Sequence, residues 1–249
     1  WGTHTHSGPD TCMRMYNGID EIIDRYLDET ASKVAAGITE IVKDFREVDL
    51  KVGKKDVHDL SFNRRLVKKD GSVVMNFEEF EIDDIVGTTG PIDPELQVLS
   101  VWNKDGSLLS ALVNFTLHPA ILVGLDWLIS RDFINYLDVV LLKEYGDDAV
   151  VLFANGAEGN INHLDYRWPD QWRDFRETER IGRKLGEYSI ETIESSREVT
   201  GAIRFVSETV FLPLREIKPE EREWADMVLE RDKDKIEDMF DGIPDKTYA

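Results

Sequence analysis

Two histidines near the start of the chain, His4 and His6, are the residues whose type and spacing point most directly to chemistry. In a β-strand, residues two apart point to the same side, so a His-x-His pair can direct two imidazoles at one ion. Neutral imidazole suits zinc and other borderline metals. The Ser7-Gly8-Pro9 that follows predicts a tight turn at the end of that strand. The pair therefore predicts a metal or catalytic site, the alternative being ordinary surface or core histidines.

The other histidines also fall at predicted strand ends and turns. His118 ends an apolar run in Asn114-Phe115-Thr116-Leu117-His118-Pro119, and His163 closes the glycine-rich stretch 155–163. Proteins of the α/β class place their ligand sites at such strand ends. For His58 we favour a structural role. For His4, His6 and His118 taken together we favour a metal or catalytic role.

These motifs resemble the N-terminal catalytic domain of the neutral/alkaline (non-lysosomal) ceramidase family. The matching segments occur in the family's order, at roughly its spacing, from residue 1 to about residue 214. The first segment is specific to the family, and the others are weak individually. The segments are Thr3-His4-Thr5-His6-Ser7-Gly8-Pro9, Asn63-Arg64, Phe115-Thr116-Leu117-His118-Pro119, Ser130-Arg131-Asp132-Phe133 and the glycine-rich loop at 155–162.

The resemblance implies a role for each matching residue. It implies that His4 and His118 bind one zinc ion per chain, whose remaining ligands lie outside this sequence. It implies that His6 and Arg64 contact the polar head of the substrate near that metal. By the same resemblance, Gly159 and Asn160 of the glycine-rich loop belong to the substrate-binding site.

The glycine-rich loop departs from the family pattern at one position. In the ceramidases this loop reads Gly-Asp-Val-Ser-Pro-Asn, and its serine has been proposed as the nucleophile. The aligned position here is Asn162, which cannot act as a hydroxyl nucleophile. Cleavage by a metal-activated water remains compatible with the sequence, and Asn162 is then a candidate donor to an oxyanion.

We therefore predict a zinc-dependent hydrolase that cleaves an amide (N-acyl) bond of a small molecule or lipid through a metal-activated water. One alternative is a non-catalytic relative that binds a ligand through a degenerate site. Another is a metal hydrolase that acts on a different bond. Because the family's glutamate and tyrosine zinc ligands lie further along than this sequence runs, we expect residues 1–249 to be a single α/β domain within a larger catalytic domain.

Three further features near these motifs admit both a functional and an ordinary role. Glu158 is the best carboxylate in the chain for a general base or a third metal ligand, although a glutamate in a glycine-rich turn is more often plain surface. Asp132 suits either the N-cap of a helix or a hydrogen-bonding partner of a metal-bound histidine. The aromatic stretch 166–172 suits either a substrate mouth or packing, and we favour packing slightly.

Composition narrows the class of partner. The chain of 249 residues has 50 acidic and 30 basic residues and a formal net charge of −20, which argues against binding to nucleic acid or to anionic membrane surfaces. A hydrophobic content of 41% is enough for a core. Cys12 is the single cysteine, so no disulfide can form within the chain. No stretch of the sequence is apolar for long enough to span a bilayer.

The elements that must position these residues follow from periodicity and turn signals. The fold class predicted is α/β, with three layers and a mixed β-sheet that has helices on both faces. Lys104-Asp105-Gly106 predicts a hairpin turn between two strands, and that hairpin delivers His118. Helices are predicted over 19–45, 133–145, 171–195 and 219–240, and strands over 50–57, 72–77, 96–102, 107–115, 149–153 and 202–214. The 149–153 strand is predicted to be buried and central, and the stretches 78–84 and 87–91 to form an exposed connection.

Overall fold

The computed structural model describes residues 2–9, 11, 20–123, 128–230, 239–240 and 243–244. The chain divides into two compact units. The first, called here the sheet unit, comprises Trp1–Pro9 and Asp44–Gly201, and it contains every motif singled out above. The second comprises Asp10–Lys43 and Ala202–Ala249. The prediction of a single domain over 1–249 is not tested by this division. None of the described helices has both the length and the apolar character that crossing a membrane requires.

The described part of the chain contains four α-helices and twelve β-strands. The helices are α1 Asp20–Ile41, α2 Ile134–Tyr145, α3 Phe175–Glu194 and α4 Pro219–Glu230, with a 3₁₀ turn at Ile82–Asp84. The strands are β1 Val48–Asp56, β2 Phe62–Asn63, β3 Arg65–Lys68, β4 Val73–Met75, β5 Ile85–Thr88, β6 Glu95–Asn103, β7 Leu108–Phe115, β8 Val150–Asn155, β9 Ile161–Asn162, β10 Arg197–Val199, β11 Met239–Phe240 and β12 Ile243–Pro244.

A five-stranded mixed sheet forms the frame of the sheet unit. Its strand order is β10-β1-β6-β7-β8, in which β7 and β8 are parallel and the other neighbours are antiparallel. The predicted hairpin is confirmed: β6 and β7 pair, and their connection contains Gly106 at φ +87°. A positive φ favours glycine, so the turn signal in the sequence has a backbone cause. The parallel pair brings the carboxyl ends of β7 and β8 to one edge, where His118 and the glycine-rich loop follow.

The core lies between one face of this sheet and the helices α2 and α3. Val98, Val113 and Phe153 stand in one row across three adjacent strands and belong to a single apolar cluster with residues of both helices. In the same row Gly53 lets α3 pass close to β1, because a Cβ there would lie 2.3 Å from the carbonyl oxygen of Thr192. Both helices therefore pack on the same face of the sheet.

Helices α2 and α3 approach each other through two glycines. A Cβ on Gly182 would lie 2.2 Å from the carbonyl oxygen of Phe133, and one on Gly186 would lie 2.6 Å from Cβ of Val140. Such contacts are shorter than packed carbon and oxygen atoms tolerate, so both positions require the absence of a side chain. The close packing fixes the start of α2, which follows the loop that carries Asp132.

The α/β class and the mixed sheet are confirmed, but the predicted place of the 149–153 strand is wrong. Strand β8 lies at the edge of the sheet, and Val150 and Leu152 are 51% and 44% exposed. The run is apolar on both faces, which is typical of a strand covered on both sides. In the described part of the sheet unit, however, helices cover only one face.

Several other boundaries differ from the sequence-based expectations. Residues 87 and 88 are not part of an exposed connection: they belong to β5, which pairs with β3 in a second sheet of order β4-β3-β5. The strand predicted over 202–214 is not observed. These residues pair with no described strand, and they are exposed. Helix α1 ends at Ile41, before the predicted residue 45, and residues 239–240, predicted to end the last helix, form β11. Residues 19 and 231–238 of the two predicted helices lie outside the described residues.

Candidate metal centre

The segment that carries His4 and His6 is held against two loops of the sheet unit. It is not the predicted strand, since residues 2–5 have no regular structure and His4 has a left-handed φ of 59°. The His6 backbone N–H donates to the carbonyl oxygen of Pro119 at 3.1 Å. The Thr5 hydroxyl donates to the carbonyl oxygen of Ser130 at 2.9 Å, and the Ser7 hydroxyl donates to that of Leu122 at the same distance. These bonds bring the start of the chain to the residues that follow β7.

Three histidine rings converge as a result. The ring centroids of His4 and His118 lie 4.6 Å apart, those of His6 and His118 4.8 Å, and those of His4 and His6 5.2 Å, all in edge-on arrangements. The Nε2 atoms of His6 and His118 are 2.9 Å apart. Each ring offers one ligand nitrogen, and the three nitrogens lie within 4.8 Å of one another. We call this group the histidine cluster.

The chemistry and spacing of the histidine cluster suit a zinc ion. Two ligand nitrogens at about 2.0–2.1 Å from a tetrahedral zinc lie roughly 3.3 Å apart, so the observed spacing needs little adjustment. Burial, followed by the neighbouring imidazoles of His6 and His4, lowers the pKa of His118 to about 4. His118 is therefore neutral at neutral pH, which is the form that binds a metal. The cluster offers three protein ligands within this chain, one more than the resemblance implies.

Contacts with the glycine-rich loop hold His118 from its other side. Its Nδ1 lies 3.4 Å from the backbone carbonyl oxygen of Glu158, a long hydrogen bond that leaves Nε2 directed at the cluster. Gly156 packs directly on Thr116, because a Cβ on that glycine would lie 2.0 Å from the threonine Oγ1. The loop can therefore approach the strand end that carries His118 only with glycine at position 156.

Arg64 presents an unsatisfied donor beside the cluster. Its backbone is fixed on both sides: its N–H donates to the carbonyl oxygen of Asn160 at 2.9 Å, and its carbonyl oxygen accepts from the N–H of Asn76 at 2.8 Å. Its positive charge contributes to the lowered pKa of His118, so the two side chains are close in space. Its Nε is buried and has no hydrogen-bond partner among the described residues. A buried donor of this kind favours an acceptor supplied by a ligand.

The loop residues predicted to act on the substrate differ in burial and in hydrogen bonding. Asn162 is 6% exposed, and its amide forms a reciprocal pair with that of Asn76, with N···O distances of 2.7 and 2.8 Å. Its Oδ1 also accepts from the N–H of Leu164 at 3.0 Å. These bonds favour a structural role, and the oxyanion role stays a prediction. Gly159 is exposed, while Asn160 contacts Arg64 through its backbone.

Neither carboxylate considered above joins the three ligand nitrogens. Glu158 is half-buried, which raises its pKa to about 6, and its carboxylate accepts from the side chain of Asn155. Asp132 is buried at φ 56°, and burial raises its pKa to about 6. Its Oδ2 accepts from the N–H groups of Ile121 and Leu122 at 3.0 and 2.9 Å, and its Oδ1 from that of Phe133 at 2.7 Å. Asp132 thus fixes the turn after His118 to the start of α2. It is not the predicted N-cap of that helix, because the N-cap residue is Phe133, which has no side-chain capping hydrogen bond.

The two remaining histidines lie outside the cluster. His58 is exposed. His163 is 3% exposed, and neither ring nitrogen has a hydrogen-bond partner among the residues the structure describes. Sequence reasoning did not single out Asn76 or Asn155, whose side chains bridge segments far apart in the chain. The one signal for Asn155 is its position, since it ends the strand that enters the glycine-rich loop.

The aromatic stretch 166–172 is divided between packing and a cleft. The guanidinium of Arg176 stacks on Trp172 at 4.9 Å, and that of Arg180 on Trp168 at 5.6 Å. Trp168 also lines a cleft of about 770 Å³ together with Tyr166 and residues of the 78–84 segment. Packing and access to a cavity therefore occur together in this stretch.

Comparison with known proteins gives a limited result. No protein-family model and no curated protein matches the chain. Two solved structures are similar to it: a neutral ceramidase from Pseudomonas aeruginosa, with 23% identity and a TM-score of 0.48, and a ceramidase complexed with C2, with 22% identity and the same TM-score. Each match covers 63% of this chain and 24% of the other. The chain thus spans about a quarter of the length of these ceramidases, the family that its motifs resemble.

Proposed function

We propose that this chain carries the metal-binding part of a zinc-dependent hydrolase that cleaves an amide bond. The observation that carries the proposal is the convergence of His4, His6 and His118, which come from two segments more than a hundred residues apart. A metal ion is the ligand that three imidazole nitrogens within 4.8 Å of one another fit best.

All three histidines hold the ion in this proposal. His4 and His118 are the ligands that the resemblance implies, and the 2.9 Å between the Nε2 atoms of His6 and His118 supports His6 as the third. Catalytic zinc sites commonly have three protein ligands and keep a fourth position for water or substrate. Zinc bound there supplies a Lewis acid that lowers the pKa of water toward neutrality.

Arg64 binds the carbonyl oxygen of the substrate. Its Nε is a buried donor without an acceptor among the described residues, and its backbone is fixed by Asn160 and Asn76. A fixed donor aimed at the oxygen on which negative charge develops stabilises the transition state without reorganisation. Removal of one such donor typically lowers the rate by about 10²–10³-fold.

The substrate class we propose is an N-acyl amide, including N-acyl lipids. This class follows from the family that the motifs resemble, whose best-known substrate is ceramide. Since Asn162 replaces the family's serine, the attacking group is water and not a side-chain hydroxyl. The acidic surface of the chain argues against an anionic polymer as substrate.

The test is hydrolysis of a panel of N-acyl amides by the protein that contains this chain, with and without added zinc. We expect zinc-dependent hydrolysis that His118→Ala abolishes and that Arg64→Gln lowers by about 10²–10³-fold with zinc still bound. His58→Ala is the matched control, because His58 is exposed and outside the cluster. If the protein binds zinc but hydrolyses no member of the panel, the amidase proposal is wrong.

The second candidate function is binding of the same ligand class without turnover. The observation that favours it is the structural use of Asn162, whose amide is paired with Asn76 and buried. In that case the zinc-loaded protein binds N-acyl amides, Arg64→Gln weakens that binding, and no product forms.

A further inference from the structure

Two hydrogen bonds from one side chain at the start of the glycine-rich loop connect the two metal-binding segments. Asn155, the last residue of β8, donates from Nδ2 to the backbone carbonyl oxygen of Thr3 at 2.8 Å. The same Nδ2 donates to the carboxylate of Glu158. Both amide protons are therefore used, one toward each side of the site.

Each of these two hydrogen bonds ends at a residue that adjoins a histidine of the cluster in the chain or contacts one in space. Thr3 directly precedes His4, whose left-handed φ of 59° is unusual for a residue with a side chain. Such a conformation persists only where surrounding contacts fix it. Glu158 is the second acceptor of Asn155, and its backbone carbonyl oxygen lies 3.4 Å from Nδ1 of His118. Movement of Asn155 would therefore displace both histidines.

The surroundings of Asn155 allow it little freedom to move. It pairs with Phe115 in the parallel ladder of β7 and β8, and the following Gly156 donates its N–H to the carbonyl oxygen of Phe115 at 3.2 Å. Its Oδ1 is buried and has no partner within the described part of the chain. The side chain of Asn155 thus makes two hydrogen bonds as a donor while its buried oxygen accepts none. This indicates that the two donor bonds determine the orientation of the amide.

We propose that Asn155 is a positioning residue that holds the His4 and His118 segments at the spacing one metal ion requires. This inference rests on the proposed function, because it assumes that the histidine cluster binds the metal. Residues that orient metal ligands typically change metal affinity by about 10–100-fold when they are replaced. Asn155 itself touches neither the ion nor the substrate in this proposal.

The test is the affinity of the metal-free protein for Co²⁺, followed by the visible absorption of the bound ion. Asn155→Asp has the shape of the native side chain but cannot donate, and it places one carboxylate against another at Glu158. We expect it to weaken Co²⁺ binding by about 10–100-fold and to alter the absorption band. Asn103→Asp is the matched control, since Asn103 lies in an exposed hairpin of the same sheet and donates to Ser107 Oγ at 3.0 Å. Its affinity should stay within about twofold of the wild type.

Three results separate this inference from the proposed function. Wild-type affinity in a folded Asn155→Asp overturns the positioning role alone. If Asn155→Asp does not fold, Asn155→Ala, which removes both donor bonds without adding charge, decides the question by the same criterion. A wild-type protein that binds no Co²⁺ overturns the proposed function and, with it, this inference.

Discussion

His163 should make the stability of the sheet unit depend on pH. Burial, followed by the charges of Arg173 and Arg180, lowers its pKa from 6.5 to about 3. The unfolded chain therefore binds a proton at pH values where the folded chain does not. The stability associated with neutral His163 is fully present above pH 6.5 and is lost as the pH falls toward about 3.

The size of the effect follows from this difference in pKa. Between pH 7 and pH 5, a group with a pKa of 6.5 in the unfolded chain and about 3 in the folded chain lowers the free energy of unfolding by about 2 kcal/mol. His163→Met removes the titrating ring and fills similar space with an apolar side chain. Because the two ring nitrogens make no hydrogen bond to any described residue, we expect the variant to match the wild type at pH 7 to within about 1 kcal/mol.

The assay is urea-induced unfolding at pH 7 and pH 5, followed by tryptophan fluorescence. The wild type should lose about 2 kcal/mol more than His163→Met between the two pH values. His58→Gln is the control, because His58 is exposed and should leave the pH dependence unchanged. Equal pH dependence in the wild type and His163→Met would refute the reasoning, since it would mean that His163 titrates alike in the folded and unfolded chains.

The remaining predictions concern packing and buried charge, and thermal unfolding checks each of them. Gly182→Ala should destabilise the sheet unit by about 1–3 kcal/mol, because its Cβ would meet the carbonyl oxygen of Phe133, whereas the same change at the open helical position Gly37 should be neutral or stabilising by up to about 1 kcal/mol. Equal effects at the two glycines would contradict this packing. Asp132→Ala leaves three buried backbone N–H groups without an acceptor and should cost about 3 kcal/mol or more, and a loss under about 1 kcal/mol would count against the role given to Asp132.

The helices and the longer strands of the sheet unit could be predicted because their signals are local, whereas the short strands β2, β3, β5, β9 and β10 were not predicted. The hairpin at 104–106 and the helices α2 and α3 follow from turn chemistry and apolar spacing, which depend on nearby residues alone. The position of β8 could not be predicted, because a strand that is apolar on both faces gives no sign of which neighbours it has. The 202–214 segment alternates like a strand yet pairs with no described strand, and pairing is not encoded within one segment.

At the candidate site, too, the residue types could be predicted from the sequence, whereas the contacts between distant segments could not. The residue types at His4, His6 and His118 favoured a metal or catalytic role, and the structure brings their rings together, but the reason given for the approach of the first two was wrong. Their rings converge through a left-handed residue and hydrogen bonds to Pro119 and Ser130, not through strand alternation. The bridging amide of Asn155 could not be found from sequence, because its partners are far from it in the chain and asparagine is common in loops.

The most direct test of the central claim is a calorimetric titration of zinc into the metal-free protein. The wild type should bind one zinc per chain, and binding should be lost in His118→Ala and weakened severely in His4→Ala and His6→Ala, with His58→Ala unchanged. Full binding in His118→Ala, or no zinc bound by the wild type, would contradict the metal centre proposed at the histidine cluster.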